Sequence, residues 1–247
     1  MSTKKSKSET VNVDNMSYYA HQLFPTPVVF SNINRKFTKD ELDFLRKHSN
    51  GDKLRVNTGN HSSKNNNVLE EEVMKDIKQY CKSFVDKYLQ EIICPMHDVE
   101  LYITQSWLNR TTKGEFHHRH NHANSIISGV FYINAIPELD KIVFYRDGYQ
   151  QLQLTKKSWN DFNSESWWFT VKTGDIILFP SHLTHMVESV VSDKPRISLA
   201  FNTFYKGYVG EDDALTGLHL GYETPISERK HKELTEEEKQ TKSKQSY

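Results

Sequence analysis

The chain has only two cysteines in 247 residues, Cys81 and Cys94, and neither stands in a CxxC or other metal-ligand spacing. That excludes a disulfide scaffold and a thiolate zinc site, and it suits a reducing compartment. Net charge is lacking too. Lys and Arg total 32 against 32 Asp and Glu, so no global field draws the protein to nucleic acid or to an anionic membrane surface. No stretch of eighteen apolar residues occurs, and the opening MSTKKSKSETVNVDN has no apolar segment of the kind an export signal carries. A cytoplasmic protein without a membrane span is expected. Dinucleotide-binding glycine patterns, phosphate loops, nucleophile elbows and internal repeats are absent as well, which removes the commonest phosphoryl-transfer and acyl-transfer designs.

What is present is a sizeable core: 36% hydrophobic residues, with thirteen Phe and twelve Tyr. Residues 1–16 are polar and read as a tail, and 17–222 form one domain. Residues 223–247 form a second, charged tail, with a frayed helix after Thr235. LFPTPVVF, from Leu23 to Phe30, is extended because Pro25 and Pro27 forbid helix, and its prolines suit an edge strand. Thr38 and Glu41 make a capping-box pattern for a short helix running to about Lys47 and ended by Gly51. Leu54 to Asn67 reads as a polar loop. From Leu69 to Ile93, Val73, Ile77, Cys81, Phe84, Tyr88 and Leu89 recur at helical spacing, opposite a lysine face, and Pro95 stops the helix. Cys81, on the apolar stripe, is expected to act as a small core hydrophobe.

Beyond Pro95 the pattern becomes one of short β-branched and aromatic runs: ELYITQSWLNR, SIISGVFYIN, KIVFYRD, WWFTV, GDIILFP, HMVESVV and PRISLAFNTF. Seven or eight such strands imply a mainly β sandwich or barrel packed against the long helix, with its core at about 98–206.

Within this part, HHRHNH (117–122) holds four of the chain's twelve histidines. Strand alternation puts His118, His120 and His122 on one side and His117 on the other. Two imidazoles on one face chelate one ion, and His185, just after GDIILFP, is the natural third ligand. Such a donor set suits Fe(II) above all, and Mn, Co, Ni or Zn as well, while open coordination positions remain for chemistry. A histidine-rich surface loop that binds metal only adventitiously has the same composition. Arg196 and Ser198, two apart on a strand, offer a guanidinium fork and a hydroxyl to a carboxylate. A salt bridge from Arg196 to Glu188 or Asp193 is the structural alternative. Tyr132 adds a phenolic donor, Asn109 and Trp107 are further pocket candidates, and for Trp107 the core is the preferred reading.

The order HxH, SGVFYIN, GDIILFPSHLTHMV, RIS resembles the Fe(II)- and 2-oxoglutarate-dependent oxygenases, and in particular a subgroup found in phages and bacteria. The likeness runs over roughly 100–205, with weaker echoes in LFPTPVVF and NVLEEEV. It implies a double-stranded β-helix (a cupin-like jelly roll) and a dioxygenase that uses Fe(II), O2 and 2-oxoglutarate. Such an enzyme hydroxylates its substrate while 2-oxoglutarate is decarboxylated to succinate. It also implies His120, His122 and His185 as metal ligands and Arg196, Ser198, Tyr132 and Asn109 around the cosubstrate. The family's usual carboxylate ligand is replaced here by His122, so the ligand pair is either His120 and His122 or is shifted to His118 and His120. Phage-encoded action in a host cytoplasm follows from the same likeness. The expected substrate is a protein side chain in preference to a small metabolite or nucleic acid, selected by rims at Leu54–Asn67 and Asp147–Asn163. A three-His cupin-like dioxygenase that does not use 2-oxoglutarate and a non-catalytic ligand-binding jelly roll are the other readings of the same residues.

Overall fold

The computed structural model describes residues 19–146, 148 and 154–221. The expected tails at 1–16 and 223–247, the helix after Thr235 and most of the rim segment at 147–153 lie outside the described residues. Strands are numbered in chain order. A major antiparallel sheet has the order β1 (Val29–Asn32), β9 (Asp175–Pro180), β6 (Ile127–Asn134), β11 (Arg196–Val209), β4 (Val99–Thr111), β3 (His61–Ser63), β2 (Leu54–Val56). β12 (Leu218–Leu220) pairs with the far end of β11. A minor sheet, β5 (His117–His120), β10 (His185–Val187), β7 (Lys141–Tyr145) and β8 (Ser166–Thr170), completes the jelly roll. From β4 to β11 the chain passes repeatedly between the two sheets, which is the winding of a double-stranded β-helix.

Alternation along the central strands sorts residues between two cores. Phe131, Ile133, Ile176, Leu178, Leu199 and Phe201 face outward into a cluster with the helices, whereas Val130, Tyr132, Ile177 and Phe179 face the interior between the sheets. Gly129 sits opposite Phe201 on the neighbouring strand, and a Cβ there would run into the Phe201 ring. The missing side chain lets that ring lie across the strand. A one-residue irregularity in the β4–β11 register at Asn202/Thr203 reverses the phase of β4, so Leu101 and Leu108 both reach the outer core.

Helix α1 (Lys39–His48) begins with the expected reciprocal capping box. Glu41 N–H donates to Thr38 Oγ1 at 3.2 Å, and Thr38 N–H donates to Glu41 Oε2 at 2.7 Å. The helix ends at Ser49, and Gly51 instead opens a short 3-10 turn. Helix α2 (Lys75–Tyr88) buries Ile77, Cys81, Val85 and Tyr88 on the outer face of the major sheet. Its start is later than the apolar period suggests. Residues 68–74 form two 3-10 turns broken by the extended Glu71, a path that fully buries Val68, Leu69 and Met74 while Leu69 N–H donates to Ser106 Oγ of β4. At the other end a π turn leads to Cys94 in the left-handed region, one residue before Pro95.

Two further departures matter for the site. The polar stretch Leu54–Asn67 contains the β2–β3 hairpin, because the Ser62 and Ser63 hydroxyls replace apolar packing by bonding to Asn109 Oδ1 (2.9 Å), Asn65 O (2.6 Å) and Leu108 N–H (3.0 Å). Strand β1 is an edge strand as expected but begins at Val29, beyond both prolines.

Candidate active site

Strand β5 carries the histidine cluster, and it is bulged. His117 pairs with Val187 and His120 with His185, so three steps on β5 match two on β10. The extra residue breaks the alternation that placed His117 on the opposite side. His117 instead stacks on His120, with ring centroids 4.5 Å apart and planes 28° apart. His122 lies two residues beyond the end of the strand, where its backbone N–H donates to Ser181 O at 2.9 Å. That loop, and not strand alternation, brings its ring beside His120 at 5.1 Å and His185 at 5.1 Å, while His120 and His185 are 4.4 Å apart.

The ligand atoms of His120, His122 and His185 all lie within 4.8 Å of one another. Each ring is oriented through Nδ1. His120 Nδ1 meets His118 O at 2.7 Å and His185 Nδ1 meets Leu183 O at 3.0 Å. His122 Nδ1 meets both Asn202 Oδ1 and Ser128 Oγ at 2.7 Å. Carbonyl oxygens only accept, so the proton sits on Nδ1 and the Nε2 lone pairs are left for an ion. Burial pushes the imidazoles down, to about 4 for His120 and about 3 for His185, and outweighs the opposing hydrogen bonds from His118 O and Leu183 O. Burial lowers His122 as well, against the Asn202 contact. All three are therefore neutral, as ligands must be. A second set within the same 4.8 Å limit is His117, His118 and His120.

Asn202 and Ser128 are site residues that the motif search misses. The signal was available: Asn202 is in phase with Arg196 and Ser198 on β11, and Ser128 lies opposite it on β6. Trp107 is not in either core. It is half-buried, with its ring 5.9 Å from that of His122. Phe179 packs against the other side of His185 at 4.8 Å and supplies an apolar wall.

At the other end of the inner face, Ser198 pairs with Asn109 on one neighbouring strand and Tyr132 on the other, so the three form one row across β4, β11 and β6. Asn109 Oδ1 accepts from Ser62 Oγ, so what Asn109 offers a ligand is its amino group. Arg196 is 3% exposed, and its guanidinium lies 5.1 Å from the Tyr132 ring centroid. The carboxylates that might pair with it are taken: Glu188 by Lys141 at 2.6 Å and Asp193 by Lys113 at 2.8 Å. Among the described residues Arg196 has no ion pair, and Arg196 Nε and the Tyr132 hydroxyl are buried without a hydrogen-bond partner. Burial, against the nearby Arg196, pushes the Tyr132 phenol up to about 12, so it stays a donor. An unpaired buried cation beside an unpaired buried hydroxyl fits an anionic ligand.

Fold and side chains thus define a jelly-roll protein with a metal-competent imidazole cluster at one end of its interior and an anion-competent guanidinium at the other. The family model described as "Putative 2OG-Fe(II) oxygenase" matches residues 105–202, the stretch that carries the site. Among functionally curated proteins no sequence match is found. Of solved structures, the epimerase SnoN from nogalamycin biosynthesis, in complex with Fe3+, alpha ketoglutarate and nogalamycin RO, is 12% identical. It covers 85% of this chain and 91% of its own at a TM-score of 0.53. The non-heme alpha ketoglutarate dependent carbocyclase SnoK from the same biosynthesis is 11% identical, with 72% and 79% covered and a TM-score of 0.50. A Pseudomonas putida prolyl-4-hydroxylase is 14% identical, with 72% and 94% covered and a TM-score of 0.49. At these identities the likeness to SnoN and SnoK bears on the fold alone, which is the double-stranded β-helix. No helix among the described residues is long and apolar enough to cross a membrane.

Proposed function

We propose that the protein is an Fe(II)- and 2-oxoglutarate-dependent dioxygenase that hydroxylates its substrate while 2-oxoglutarate is decarboxylated to succinate. The observation that carries this reading is the buried, unpaired Arg196 on the same inner face as three neutral imidazoles whose Nε2 atoms are free. One end fits a divalent ion and the other a carboxylate, which is the demand of a dicarboxylate that must also reach a metal. Bound iron and 2-oxoglutarate supply the oxidising chemistry with O2.

The chain supplies binding and orientation. His120, His122 and His185 hold the ion, and their Nδ1 hydrogen bonds keep the rings from turning away. Arg196 grips the distal carboxylate, Ser198 and Tyr132 add hydroxyl donors, and Asn109 adds its amino group. Phe179 keeps water from the back of His185. With His122 in place of a carboxylate, the three ligands bring no negative charge, so the ion keeps its full positive charge for the cosubstrate. Metal and 2-oxoglutarate should therefore bind with strong mutual dependence.

The substrate reading is a protein side chain presented in an extended segment. In its support, β8 is an edge of the minor sheet among the described residues, and its Trp167 and Trp168 are 42% and 55% exposed. Such an edge suits strand addition. The test is a succinate-formation screen with extended peptides against small hydroxylatable metabolites. Peptide-stimulated succinate that is lost in Arg196→Ala is expected. Failure to bind Fe(II) and 2-oxoglutarate together would refute the oxygenase reading, and stimulation only by small metabolites would refute the substrate reading.

A further inference from the structure

Five imidazoles, not three, meet around His120. Its ring centroid lies 4.5 Å from that of His117, 4.7 Å from His118, 5.1 Å from His122 and 4.4 Å from His185. The proposed iron site uses His122 and His185 and leaves His117 and His118 without a task. We propose that His117, His118 and His120 form a second divalent-metal site that shares His120 with the first, so that filling one weakens the other.

The geometry is already close to that of a site: one ligand atom from each of the three residues lies within 4.8 Å of the others. The β5 bulge is what turns His117 to this side. His118 Nδ1 faces Thr58 O at a long 3.3 Å, which leaves Nε2 for an ion, and His120 presents Nε2 for the reason already given. His117 Nε2 has only the side-chain amide of Asn57, also at 3.3 Å, a contact that an ion displaces cheaply. The β2–β3 turn that carries Asn57 and Thr58 holds these rings from above. It is packed tightly: Gly59 has φ +85°, and a Cβ there would stand 2.7 Å from Phe116 O. Phe116 N–H in turn donates to Gly59 O at 3.0 Å. The outer histidines therefore lie against an ordered hairpin, held by contacts weak enough for an ion to replace.

Three imidazoles without a carboxylate select borderline ions such as Zn(II), Ni(II), Co(II) or Cu(II) over harder ones. An ion there draws on His120, so zinc at the outer site competes with iron at the inner one without touching His122 or His185. This inference uses residues that the oxygenase reading leaves idle, and its first test does not need turnover.

That test is a Co(II) titration of the His122→Ala/His185→Ala variant, read by its visible ligand-field bands and by calorimetry. One Co(II) per chain is expected, and none after His117→Ala and His118→Ala are added. No Co(II) binding by a folded His122→Ala/His185→Ala protein overturns the proposal, as does binding that survives loss of His117 and His118. A second measurement covers failure of the multiple variant to fold. Zinc should inhibit the iron-loaded His117→Ala/His118→Ala enzyme at least tenfold more weakly than the unmodified enzyme. Equal inhibition would mean that zinc acts at the inner site alone.

Discussion

The two faces of the major sheet are built from alternate residues of the same strands, yet they end in opposite states. On the outer face Phe131, Leu178, Leu199 and Phe201 lie fully buried against the helices. One residue away, the inner face carries Tyr132, Ser198, Ser128 and Asn202, and at its end Arg196, whose Nε has no hydrogen-bond partner among the described residues. The outer face is complete without a ligand, whereas the inner face leaves free imidazole nitrogens, an unpaired guanidinium nitrogen and an unpaired phenol. Stability and function are thus divided by strand phase, and each face can be broken with little harm to the other.

The largest effect is expected from His185→Ala. Losing an ion that supplies several kcal/mol of transition-state stabilisation lowers turnover by about a thousandfold or more, while the variant still unfolds cooperatively in denaturant. Phe201→Ala, on the other face, should cost about 3–5 kcal/mol of stability by equilibrium unfolding and leave metal affinity of the folded protein unchanged. Arg196→Met comes next. Loss of the charge-assisted pair weakens 2-oxoglutarate binding by about a hundredfold in calorimetry, on the order of 2–3 kcal/mol. The melting temperature of the ligand-free protein should hold or rise, since a buried unpaired charge has gone. Asn202→Ala should weaken metal binding by about 10–100-fold, because His122 loses the acceptor that sets its ring.

A separate expected effect, on stability alone, is the pH dependence of the metal-free protein. Folding depresses His120 to about 4 and His185 to about 3 from an ordinary 6.5, so below 6.5 the unfolded chain binds protons that the folded one refuses. Stability is full above pH 6.5 and falls as the pH drops towards 4, by on the order of 1 kcal/mol per pH unit for each histidine. Chemical denaturation at stepped pH measures this slope, and bound metal should add stability without removing it, because the protons are taken up by the unfolded chain.

Much of this division was legible in the sequence. Val-, Ile- and aromatic-rich runs located β4, β6, β7, β8, β9, β10 and β11, the capping box located α1, and the spacing of Arg196 and Ser198 placed those two on one face. Where the reading failed, the cause was local. The Leu54–Asn67 hairpin escaped because its strands are held by serine hydroxyls and carry no apolar alternation. The orientation of His117 escaped because a bulge depends on the register with a strand nearly seventy residues away. Asn202 shares the phase of Arg196 and Ser198, but its contact with His122 is set by the fold, and phase alone did not single it out. His120 and His122 do lie beside each other, although His122 arrives by a turn and not by the strand period that suggested it.

The most direct measurement is anaerobic absorption spectroscopy of the Fe(II)-loaded protein titrated with 2-oxoglutarate, run in parallel on the unmodified chain, His122→Ala and Arg196→Met. A metal-to-ligand charge-transfer band should saturate with one 2-oxoglutarate per chain in the unmodified protein. It should be lost in His122→Ala and require about a hundredfold more ligand in Arg196→Met. A band unchanged in Arg196→Met, or no band in the unmodified protein, would contradict the assignment of the inner face as a joint metal and dicarboxylate site.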